Sequence, residues 1–159
     1  MLEYFINYPI GTIHLLSSVI SLAAGTVVLI LQKGTVLHRK IGYVYATGML
    51  VVNGTALVIY RLFDGFGIFH YAALLSLLTL VGGMVPVLLR KPENSWLNIH
   101  FSFMYWSVMG LYAAFASEVL TRVPETPFFG MVGIATGIIM TAAGVYFYYG
   151  KHRWEELET

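Results

Sequence analysis

Five apolar stretches run along the chain, at approximately residues 10–32, 41–60, 67–89, 97–119 and 128–150. Each is near the roughly 20 residues that a helix needs to cross the hydrocarbon core of a bilayer. Short polar punctuation separates them: Lys33-Gly34-Thr35 through His38-Arg39-Lys40, then Arg61 to Gly65, Arg90 to Ser95, and Thr121 to Pro127. Connections this short leave consecutive helices as antiparallel neighbours. The pattern predicts an all-α integral membrane protein. It forms one domain over residues 1–159, an antiparallel bundle of five transmembrane helices, with no linker, repeat or low-complexity segment.

Composition agrees. Of 159 residues, 58% are hydrophobic and 11% charged, and a soluble domain of this size cannot keep so much apolar surface from water. The net charge of +1 says little; its distribution says more. With the N-terminus outside, the inner side holds Lys33, Arg39, Lys40, Arg90, Lys91, Lys151 and Arg153, and the outer side only Arg61 and Arg122. That bias predicts an outer N-terminus and a cytoplasmic tail over 151–159. Tyr4, Tyr8, Trp96, Tyr146, Tyr148, Tyr149 and Trp154 suit an interfacial belt. The first apolar stretch follows Glu3 rather than a basic run, so no cleavable signal is expected. With no cysteine in the chain, disulfides, thiolate metal sites and cysteine nucleophiles are excluded. No phosphate loop, nucleophile elbow or dinucleotide fingerprint occurs. The basic residues are spread along one membrane face, which does not suit nucleic acid.

Ionisable groups at membrane depth are costly and therefore informative. His152 sits between Lys151 and Arg153 and reads as a solvated tail residue. The other four histidines fall one near the start of each of the first four helices. Antiparallel topology sorts them into an outer pair, His14 and His70, and an inner pair, His38 and His100, roughly 20 Å apart. Two imidazoles facing each other at equal depth can ligate a haem iron on both faces. Arg39 and Lys40 inside, and Arg61 and Arg122 outside, are candidate partners for propionates. Helix-bonding histidines of structural purpose are the competing reading.

A second constellation lies on helix 4. His100, Met104, Ser107, Leu111 and Glu118 share one helical face, which brings Glu118 towards the outer layer. His14, His70 and Glu118 are a candidate three-ligand zinc site with a position open for water; a salt bridge from Glu118 to Arg122 at i,i+4 is the plainer alternative. The stripe His14, Ser18, Ser21, Gly25 and the mid-helix Asn53 are expected to face the bundle interior. Gly133-x-x-x-Gly137 is a close-packing pattern, and Pro86 is expected to kink helix 3.

Two stretches carry a resemblance. Lys33-Gly34-Thr35-x-x-His38-Arg39-x-x-Gly42-x-x-Tyr45 is one. The other is Met104-x-Trp106-Ser107-x-x-Gly110-Leu111-x-Ala113-Ala114-x-x-x-Glu118-x-x-x-Arg122. Over about residues 10–122 the chain resembles a bacterial family of predicted multi-pass membrane proteins of unknown function. That resemblance implies the bacterial cytoplasmic membrane and marks His38, Arg39, Trp106, Ser107, Glu118 and Arg122 as pattern residues, without an activity. The histidine layout from His14 to His100 is similar to that of the cytochrome b561 family, whose four-helix core holds two haems. The resulting expectation is a membrane b-type haem protein with up to two haems, serving transmembrane electron transfer or a haem-linked assembly role. A zinc-dependent membrane hydrolase and a non-enzymatic scaffold are the alternatives. The expected partners are the lipid bilayer and a redox partner or a second copy of the chain.

Overall fold

In a computed structural model the described residues are 8–60, 65–122 and 127–155. Tyr4 and Arg61 lie outside them, as do the side chains of Lys151, His152, Arg153 and Trp154. Among the described residues all the regular structure is helical: α1 Pro9–Ile30, α2 Val36–Val58, α3 Ile68–Leu89, α4 Trp96–Leu120 and α5 Phe128–Glu155. All five are long and apolar enough to span a membrane, α5 over Phe128–Gly150. Large apolar side chains stay uncovered along them, for example Leu16, Leu50, Leu78 and Ile138. Lipid is the solvent for such faces.

The Lys33-Gly34-Thr35 motif has a local physical explanation. Helix α1 starts on Pro9, whose missing N–H is no loss at that position. At its other end the Lys33 ammonium donates to the carbonyls of Val28, Leu29 and Leu31, at 2.9, 2.7 and 3.2 Å. Those carbonyls would otherwise face an apolar medium without donors. Gly34 turns the chain at φ 78°, where a side chain is strained. The Thr35 hydroxyl then accepts the N–H of His38 at 3.1 Å and caps α2. Lysine closes one helix, glycine reverses the chain, and threonine opens the next.

This cap corrects one boundary. Helix α2 begins at Val36 rather than near residue 41, so His38, Arg39 and Lys40 belong to its first turns. Cations there oppose the helix dipole, which is why the basic run reads as a loop; the Thr35 cap outweighs it. Burial also lowers the Lys33 pKa. Charging this amine is therefore harder in the folded chain, and its contribution to stability rises with pH as the ammonium loses its proton. We expect Lys33→Met to destabilise the fold by about 1 kcal/mol, seen in thermal unfolding in detergent.

The chain divides into two compact units, residues 1–80 and 81–159. In the first, α1 packs on α2. Ser18, Ser21, Ala24, Gly25 and Val28 are the buried residues of α1, and Tyr45, Ala46, Met49, Val52 and Asn53 those of α2. Early residues of α1 meet late residues of α2: His14 bonds Thr55, and Ser21 lies against Gly48. A Cβ on Gly48 would collide with Ser21 Oγ. The polar stripe of α1 and Asn53 are thus turned inward as their spacing predicts.

In the second unit the end of α3 packs on the start of α4, and α4 packs on α5. Cβ atoms on Gly82 and Gly83 would stand 2.7 Å from the Phe103 ring and from Met104 Sδ, so the glycine pair permits the close approach. Between α4 and α5 the Tyr105 hydroxyl donates to the Ala143 carbonyl at 2.8 Å, amid the rings of Phe101, Trp106, Tyr146 and Phe147. By contrast, Cβ atoms on Gly133 and Gly137 would meet nothing within 4 Å. That spacing signalled a contact; the close approaches fall at Gly48, Gly82 and Gly83 instead.

Candidate functional site

The four membrane histidines stand where the pattern places them, each within the first two turns of its helix. His14 is in α1, His38 in α2, His70 in α3 and His100 in α4. What distinguishes them is which ring nitrogen carries the proton. The neighbours decide that, because a carbonyl can only accept and a backbone amide can only donate.

His14 Nδ1 is 2.9 Å from Thr55 Oγ1. The Thr55 hydroxyl has a single hydrogen, and it points back along its own helix to the carbonyls of Val51 and Val52, at 2.7 and 3.0 Å. The oxygen is left as an acceptor, so His14 donates from Nδ1. Its Nε2 keeps the lone pair.

His100 reaches the same state by another route. Its Nδ1 lies 2.8 Å from the Gly83 carbonyl and donates to it. The Gly82–Gly83 pair brings α4 near enough for that bond. Pro86, inside the same helix as the glycine pair, has no N–H for the Gly82 carbonyl four residues back. His100 Nε2 therefore also offers a lone pair. A histidine that donates Nδ1–H to a protein oxygen while Nε2 stays open has the arrangement of a metal ligand oriented from behind.

His70 is set the other way. It is the third residue of α3, and the Gly67 N–H donates to its Nδ1 at 3.0 Å while its own N–H returns to the Gly67 carbonyl. This is the reciprocal geometry of a capping box, with histidine in the place of glutamate or glutamine. Nδ1 then holds the lone pair and Nε2 the proton. The residue is only 4% exposed, and Nε2 has no hydrogen-bond partner among the described residues. A donor stranded in that way costs about 1–3 kcal/mol. The rings of Phe66 and Tyr60 flank the imidazole, with centroids at 4.5 and 4.8 Å.

His38 is half-buried at the start of α2, and its main-chain N–H is held by Thr35. Arg39 beside it is exposed. On α4 the expected stripe is inward at Met104, Ser107 and Leu111. Its last member departs: the Glu118 carboxylate is paired with the Arg122 guanidinium one turn on, both part-exposed. Among the described residues no group of three or more histidine, aspartate or glutamate side chains comes together to hold a metal ion. Two of the zinc candidates have other partners. His70 Nδ1 takes the Gly67 N–H, and the Glu118 carboxylate pairs with Arg122.

The sequence does not display the ring tautomers, or the roles of Thr55 and Gly83 behind His14 and His100. Thr55 looks like any polar residue of a membrane helix. The Gly82-Gly83 pair was the available signal for a close approach of α4 to this backbone.

A family model described as "Predicted membrane protein (DUF2306)" matches residues 11–148. No curated protein and no solved structure matches the chain.

Proposed function

We propose that this chain, which belongs to the DUF2306 family of predicted membrane proteins, is a b-type haem protein that carries electrons across a bacterial cytoplasmic membrane. One observation carries the reading. His14 and His100 each donate Nδ1–H to a protein oxygen, at 2.9 and 2.8 Å, and keep Nε2 open as a ligand nitrogen. The haem iron would supply a one-electron couple at each position. The chain's own residues do the positioning. Thr55 and the Gly83 carbonyl orient the two imidazoles, fix their tautomers and raise their basicity.

His70 is not a ligand in this reading, because its Nε2 carries the proton. His38 is the second nitrogen the sequence offers at the level of His100. Arg39, exposed beside it, suits a propionate on that side, whereas Arg122 is engaged by Glu118.

The absorption spectrum of the full chain, purified after expression with a haem precursor, tests this. A Soret band with sharp bands on reduction is expected. A colourless protein would remove the proposal.

The reading also needs the two histidines near opposite faces. The pairing of early with late residues between α1 and α2 and between α4 and α5 supports antiparallel neighbours. The basic residues support an outer N-terminus. A reporter active only outside the cytoplasm should be silent when fused after residue 159 and active when fused before residue 1; the reverse result would invert the topology.

A further inference from the structure

The proposed electron path leaves the most buried histidine among the described residues without a task. His70 is 4% exposed, and its Nε2–H meets no acceptor among the described residues. Capping explains Nδ1, which takes the Gly67 N–H; it does not explain a histidine. A glutamate serves the same cap without stranding a nitrogen in an apolar setting.

The chemistry of that nitrogen narrows what can meet it. A protonated Nε2 cannot ligate a metal, and it can only donate to an oxygen acceptor. A ligand reaching it from the hydrocarbon phase must be soluble there, so it is uncharged. The surroundings are aromatic: Phe66 and Tyr60 flank the imidazole at 4.5 and 4.8 Å, tilted by only 29° and 30° to it. Both of these rings are about half exposed, at 50% and 46%. The imidazole is therefore packed face-on against two aromatic side chains that are themselves open at the periphery of the unit.

We infer that His70, with Phe66 and Tyr60, forms a binding site for the carbonyl oxygen of an uncharged, bilayer-dissolved molecule, of which a quinone headgroup is the best fit. The flat ring of a quinone stacks on aromatic side chains, and its carbonyl accepts the Nε2–H bond. An acyl ester of a phospholipid offers the same acceptor without the ring. The site stands on its own geometry and does not depend on haem, so binding is measured on haem-free protein.

Two substitutions separate the ring's two nitrogens. His70→Asn keeps an acceptor near the position of Nδ1 for the Gly67 N–H and removes the distal donor. His70→Gln places an amide donor near the position of Nε2. The full chain in nanodiscs is titrated with a short-chain benzoquinone, binding being read by quenching of tryptophan and tyrosine fluorescence, and helix content by circular dichroism. Saturable binding is expected in the native chain, weakened at least tenfold in His70→Asn with unchanged helix content, and kept within threefold in His70→Gln. If the quinone does not bind but phospholipid co-purifies with the native chain and is lost from His70→Asn, the ligand is the lipid ester and the site stands. Equal quinone binding by native chain and His70→Asn overturns the proposal. So does the absence of both quinone and retained lipid.

Discussion

Replacing His14 and His100 together by alanine is expected to abolish the Soret absorbance of the purified chain, while each single replacement removes one of two spectral contributions. The loss should be large because an axial nitrogen is the main covalent hold on a b-type haem. Thr55→Val provides the control for mere unfolding. It leaves the His14 ring in place and takes away the oxygen that accepts from Nδ1. Loss of such an orienting partner lowers affinity by about 10–100-fold, so Thr55→Val should bind haem weakly at the His14 position and normally at the other. His70→Ala should leave the Soret intensity unchanged. If His70→Ala bleaches the protein as fully as His14→Ala, ligation belongs to the outer pair and the tautomer argument is wrong.

Gly83→Leu is expected to be the most damaging single change in the second unit, destabilising it by about 3 kcal/mol. A Cβ there would stand 2.7 Å from Met104 Sδ and 3.3 Å from the Met104 backbone nitrogen. The thioether can swing away, but the backbone nitrogen moves only if α4 moves. Displacing α4 also withdraws His100 from the Gly83 carbonyl. The variant should therefore lose thermal stability and haem together. Gly133→Ala is the contrasting case, since its added Cβ meets nothing, and it should be neutral or slightly stabilising in the helix. A Gly83→Leu protein with native melting behaviour would show that the glycine pair is not a close approach.

Much of this molecule is legible from its apolar runs alone. The five spans were expected within a few residues, because spanning length and backbone satisfaction in lipid leave helices little latitude. The start of α2 was harder to see. The His38-Arg39-Lys40 run resembles a solvated loop, and only the Thr35 hydroxyl reveals it as helix. Lys33 likewise reads as a topology marker, whereas its ammonium closes the end of α1.

At the candidate site, residue spacing could place a histidine at each helix start, turn Asn53 and Ser21 inward, and offer the Glu118–Arg122 pair as an alternative to a metal ligand. It could not assign protons. Those depend on whether a ring nitrogen meets a carbonyl, a hydroxyl already committed elsewhere, or an amide, and each is settled by a distance of a few tenths of an ångström. The division of the histidines into two ligand-competent rings and one donor is a property of packing. Composition carries none of it.

Nitrogen-15 spectroscopy of selectively labelled histidine in the haem-free full chain reads those protons directly. His14 and His100 should be protonated at Nδ1 with Nε2 unprotonated, and His70 should show the opposite tautomer, with signals assigned by single replacement. Nε2 protonation at His14 and His100, or Nδ1 protonation at His70, would contradict the site as described here.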